Sequence, residues 1–251
     1  MKKISALLLA LVAGVFIAAC SKQEPAPAPK PAPAPAPVAA APAAIVGFDI
    51  DLAKEAGKRL GLEVKFKAID WSAKEAELSG KRVDVLWNGL TITEQRKANI
   101  LFTKPYLENR QIIVVTEKAE IKDKAGLAGK VVGVQDGSSA IEAVQKDEAT
   151  AKSLKELKKF GDNVTALMDL SAGRLDALVV DEVVGRYYTS KRPGEYRVLE
   201  QHFGTEDYGI GTRKEDTELM AKIEKAMDEM KKDGSAAAIS TKWFGKDIIK
   251  P

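Results

Sequence analysis

Cysteine and histidine each occur once in this 251-residue chain, aromatics make up 6%, and basic residues outnumber acidic ones by only 39 to 36. A single cysteine, Cys20, can neither close an intramolecular disulfide nor supply a thiolate cluster, so stability has to come from packing. The one histidine, His202, stands in a charged stretch and reads as a surface residue. With no H-E-x-x-H, G-x-S-x-G or G-x-x-x-x-G-K-[ST] segment, the chain offers no evident machinery for hydrolysis or phosphate binding. A formal net charge of +3 sets up no field strong enough to hold nucleic acid, which is not expected as a partner. No metal or cofactor is expected either.

What is present begins with Lys2 and Lys3, followed by sixteen apolar residues, 4–19. That run is short for a membrane span and suits the core of a signal peptide. Ala18 and Ala19 before Cys20 resemble a bacterial lipobox, which implies removal of residues 1–19 and lipidation of Cys20. Acyl chains add about 0.8 kcal/mol per buried methylene, so several of them would anchor the protein to a membrane. The rest of residues 20–44 is mostly Pro and Ala, a composition that favours extended polyproline II and reads as a semi-rigid tether. Residues 45–251 remain for packing, enough for two small α/β lobes.

Apolar spacing predicts a helix over residues 49–60, with Asp49 or Asp51 near its start and Gly61 as its stop. Residues 63–69 (EVKFKAI) alternate polar and apolar and read as a strand. Further strands are expected at 83–87, 111–115, 130–135 and 175–180. Helices are expected at 73–78, 91–98, from about 140, at 163–172 and at 216–232, with a last one after Gly234. Lys152, Lys155, Lys158 and Lys159 fall at helical spacing and read as a solvated helix face. Alternating strands and helices imply a parallel α/β sheet.

Ligands of open α/β sheets bind beyond the carboxyl ends of strands, and three such ends carry polar residues. After VDVLW come Gly89, which allows close backbone approach, Thr91, and Thr93 as N-cap of a helix with Arg96 in its first turn. A cation there opposes the helix dipole and wants an anion, either a ligand carboxylate or a surface acid. After KVVGV, the turn Gly137-Ser138-Ser139 opens a helix; the serines serve as caps or as part of an anion site. After LDALVV, Asp181 ends a buried apolar strand and needs a cation, a ligand ammonium or a nearby Lys.

Taken together, GFDIDLAKEAGKRLG, DW, NGLTITEQRK, FTKPY, VVGVQDGSSA, VVDE and KWFGKD resemble the bacterial solute-binding proteins of polar amino-acid ABC importers (extracellular solute-binding protein family 3). The resemblance runs from residue 45 to residue 250. It implies an α/β, two-lobe hinged periplasmic-binding-protein fold of type II, each lobe a mostly parallel sheet flanked by helices. Lobe one would hold residues 45–110 and 206–251, and lobe two residues 111–205. In the family's pattern Gly89, Thr91 and Arg96 hold the ligand α-carboxylate, Ser138 and Ser139 add to it, Asp181 holds the α-ammonium and Trp71 stacks on the ligand. The implied protein is a periplasmic, membrane-anchored lipoprotein and a monomer, which clamps a free polar amino acid and delivers it to permease subunits. Glu75 and Glu77 would favour a cationic ligand, Asn88 and Gln135 a neutral one. One departure stands out: family members open lobe one with a strand and an aromatic turn before GFDIDLA, and neither is present. Two other readings follow, a truncated homologue acting through protein contacts and an enzyme similar to cyclohexadienyl dehydratases, with Glu75, Glu77 or Glu182 as its acid.

Overall fold

The computed structural model describes residues 45–251. In chain order these form α1 (Phe48–Leu60), α2 (Lys74–Ser79), β1 (Val85–Leu86), α3 (Glu94–Lys97), β2 (Ile100–Phe102), β3 (Leu107–Thr116), β4 (Val131–Gln135), α4 (Ser139–Lys146), α5 (Glu148–Ser153), β5 (Glu156–Phe160), α6 (Asn163–Ser171), β6 (Ala177–Asp181), α7 (Glu182–Lys191), β7 (Tyr196–Tyr208), β8 (Gly211–Arg213), α8 (Thr217–Lys232) and α9 (Ser235–Phe244). Cys20 and the signal and tether segments lie outside the described residues.

Two sheets organise the elements, one of three strands ordered β1-β8-β2 and one of five ordered β5-β4-β6-β3-β7. The apolar run of β3 does not alternate because both of its faces are covered. Ile113 and Val115 pack with Leu127, Val134 and Val144, while Ile112 and Val114 pack with Leu167, Leu170 and Val180. Beside the smaller sheet, α1 brings Leu52 and Ala56 against Ile223, Met227 and Met230 of α8 and Ala236 of α9. Helix α1 stops where Gly61 adopts φ 66°, with Leu62 N–H returning to the Gly57 carbonyl at 2.9 Å. Asp51 ties α9 to α1 by accepting from Lys242 at 2.6 Å and Trp243 at 2.9 Å.

The sheets are mixed rather than mostly parallel. β4 runs parallel to β5 and β6, but β3 is antiparallel to β6 and β7, and β8 is antiparallel to β1 and β2. The chain goes out along β3 and returns along β7, and that return sets the opposite direction.

Two local expectations fail. Residues 63–69 form no strand, although their polar side chains remain exposed and Val64, Phe66 and Ile69 half-buried. Alternation sets which face is buried, but a strand also needs a neighbour, and none runs beside this segment among the described residues. The lysine spacing misleads similarly: α5 ends at Ser153, and Lys158 and Lys159 lie in β5, where they pair with Asp169 and Asp136. Partnering by β4 overrides the helical spacing. His202 also sits in a strand, β7, half-buried, with Nδ1 accepting from Gly204 N–H at 3.1 Å.

Candidate functional site

Thr93 caps α3 by accepting from the Arg96 N–H at 3.2 Å, which fixes Arg96 in the first turn. The Arg96 side chain is buried. Its guanidinium donates to the Thr91 carbonyl at 2.9 Å and to the Gly137 carbonyl at 3.0 Å. Burial pulls its pKa below the usual arginine value. Lys74, only 3% exposed, donates to the same Gly137 oxygen at 2.8 Å, and burial lowers its pKa to about 8. Two enclosed cations therefore converge on one backbone carbonyl. Among the described residues Arg96 has no ion-pair partner, and Lys74 has only Glu75, at 4.0 Å.

Acids gather on the other side. β3 places Asn109 and Gln111 on one buried face, opposite Glu206 of β7 and Asp181 of β6 respectively. Asn109 Nδ2 donates to Asp181 and Glu206, both at 2.8 Å, and Gln111 Nε2 donates to the same two at 2.5 and 2.8 Å. Glu206 also accepts from Thr91 Oγ1 at 2.8 Å and Ser139 Oγ at 3.1 Å. Burial first, and then the Glu206 charge, push the Asp181 carboxyl up to about 7. Thr91 and Ser139 meet at 3.0 Å, linking the Arg96 loop to the start of α4.

Such an arrangement presents guanidinium and ammonium donors on one side and paired carboxylates on the other, joined by hydroxyls. It is complementary to a small zwitterion. A cavity of about 700 Å3 lies elsewhere, between Ile92, Phe102, Pro105 and Lys214, and of this cluster only Glu206 borders it.

The sequence profile of the bacterial extracellular solute-binding proteins, family 3, matches residues 31–246. The chain belongs to this family. It is similar to the L-cystine-binding protein TcyJ of Escherichia coli K12, with 31% identity over 208 residues covering 82% of this chain and 77% of that one. It is also similar to the histidine-binding periplasmic protein of Salmonella typhimurium LT2, 34% identical over 217 residues, covering 83% and 82%. A histidine-bound substrate-binding protein of an ABC uptake transporter from Streptococcus pneumoniae superposes with a TM-score of 0.79 at 35% identity, over 82% and 85% of the two chains. The fold is that of the type II periplasmic binding proteins.

Within this family 3 fold, Thr91, Arg96, Ser139 and Asp181 come together. Gly89 adjoins them with φ 60°, a Tyr208 ring carbon 3.2 Å from where a Cβ would sit, and its N–H donating to Asp49 at 2.9 Å. Asp49 stands in the first turn of α1 and also accepts from Tyr106 at 2.8 Å, and burial of the carboxylate raises its pKa to about 6. Ser138 turns back to the Gln135 carbonyl at 2.7 Å and makes no side-chain cap. Trp71 is half-buried, with Lys74 Nζ 5.2 Å from its ring centroid. Glu77 is bound by Lys67 and Arg82, Glu182 by Arg110 and Arg186, Gln135 bonds Asn163, and Asn88 is exposed.

Lys74, Asn109, Gln111 and Glu206 were not among the expected residues. Asn109 and Gln111 left a signal, two amides at alternate positions leading into an apolar strand. Lys74 and Glu206 left none, since each sits among other charged residues.

Proposed function

We propose that the chain is the substrate-binding receptor of an amino-acid ABC importer, closing two lobes on a free polar amino acid and delivering it to the permease subunits. The observation that carries this reading is the pair of enclosed, opposite charges that make no ion pair among the described residues. Arg96 is held by carbonyls, and Asp181 by side-chain amides. An α-amino acid brings a carboxylate to the first and an ammonium to the second. Names of family relatives support the substrate class: cystine for one and histidine for another. Thr91, Ser139, Gly89 and Ser138 would complete the carboxylate side, and Trp71 would border the ligand. Residues 45–110 and 206–251 form one lobe of this receptor and residues 111–205 the other. Cys20 would carry the lipid anchor after removal of residues 1–19, with residues 20–44 as tether, placing a monomer on the periplasmic side of a membrane. The protein's work is binding and release, with no bond made or broken.

Calorimetric titration with each of the twenty amino acids and cystine tests the reading. Heat is expected from one or a few, with affinity falling roughly a hundredfold or more, about 3 kcal/mol, in Arg96→Ala. One observation favours the second reading, a homologue that no longer binds ligand: Gly137 C=O and the Thr91–Ser139 bond occupy the places that ligand groups would take. No heat from a well-folded chain would decide for that reading.

A further inference from the structure

We infer that Glu206 is a second ligand-facing carboxylate, and that with Asp181 it forms a two-acid cradle for the ammonium group of the bound amino acid. The inference rests on the receptor reading above and deepens it.

Both carboxylates draw on the same two amide donors, Asn109 Nδ2 and Gln111 Nε2. The strand register fixes this, because Asn109 lies opposite Glu206 and Gln111 opposite Asp181. Donors run short here. Gln111, 1% exposed, leaves its Oε1 buried with no partner among the described residues, while the buried Tyr208 hydroxyl is directed at Asp181. Two carboxylates and an orphan amide oxygen in one place want a group with several N–H bonds and a positive charge. Nearby cations are engaged elsewhere. Arg96 donates to Thr91 and Gly137, Lys74 to Gly137 and Trp71, Arg110 to Glu182, and Lys250 to Asp207. A ligand ammonium supplies three N–H donors and one charge.

Charge bookkeeping gives the cradle a signature. Facing it are Arg96 from α3, acting through space, the hydroxyl of Tyr208 from β7, and the neutral Thr91 and Ser139; Glu182 is turned away to Arg110 and Arg186. In the free protein Asp181, buried beside Glu206, keeps its proton up to about pH 7. When the ammonium enters, Asp181 ionises and that proton leaves to solvent, so one ligand in means one proton out. Below pH 7 the affinity then rises tenfold per pH unit, and above pH 8 it is flat.

Titration of the full chain at pH 6.0 and pH 8.5, in phosphate and in a buffer of large ionisation enthalpy, counts these protons for each amino acid that binds. Wild type is expected to release about one proton at pH 6.0 and none at pH 8.5. Glu206→Gln is expected to release fewer protons than wild type at pH 6.0, because burial still raises Asp181 but the Glu206 charge no longer does, and to bind at least tenfold more weakly. Equal proton counts in wild type and Glu206→Gln overturn the cradle, whether or not affinity falls, and leave the receptor reading standing. A wild-type count of zero at pH 6.0 overturns it without recourse to the variant, should Glu206→Gln fail to fold. No heat from any amino acid with folded wild type overturns the receptor reading and the cradle with it.

Discussion

Asp181 and Asp49 carry carboxyls whose surroundings favour the proton, and this has a measurable sign. Asp181 holds its proton to about pH 7 in the folded chain, against an ordinary value of 3.8, and Asp49 to about pH 6. Between the two values the native state binds more protons than the unfolded one, so stability falls as pH rises. Without ligand, the denaturant midpoint is therefore expected to drop between pH 5 and pH 7, and Asp181→Asn is expected to flatten much of that slope. A slope unchanged in Asp181→Asn would mean that the carboxylate is solvated. At this scale the site was partly legible. Thr93, Arg96 and Asp181 follow from helix and strand ends, because capping and the cost of a terminal buried charge are local rules. Lys74 and Glu206 depend on which elements come to lie across from them, and no local pattern records that.

Elements with steep periodicity and clear stops formed where the sequence placed them: α1 ends at Gly61, α6 just before Gly173, and α9 begins directly after Gly234. The failures share one cause. A strand exists only with a partner, so alternation at residues 63–69 was not enough, while residues 156–160 became a strand despite helical lysine spacing because β4 was available. Among the described residues no amide from 63 to 70 donates to a backbone carbonyl. Hydrogen exchange is expected to be fast across 63–70 and slow at Ile113 and Val114, which are fully buried and sit between two strands. Protection of 63–70 equal to that of β3 would show that this segment is paired after all.

Across the whole molecule, β3 and β7 join the five-stranded sheet to the segments that build the smaller one, and Asn109, Gln111 and Glu206 stand on them. Arg96, Thr91 and Lys74 come from segments flanking the smaller sheet, whereas Gly137, Ser139 and Asp181 come from the larger. A zwitterion that touches both sides favours the arrangement in which they meet, and its two charges are what each side lacks. The family and its fold were readable from ordered motifs spread along residues 45–250, since their order constrains topology even where single motifs are weak. The mixed strand directions were not readable, because the return along β7 is a matter of long-range pairing. The most direct test of the clamp is titration with the bound amino acid beside its N-acetyl and its α-amide forms. Each modified form removes one charge, and each is expected to lose binding at least a hundredfold; binding of either form at the affinity of the free amino acid would contradict the account.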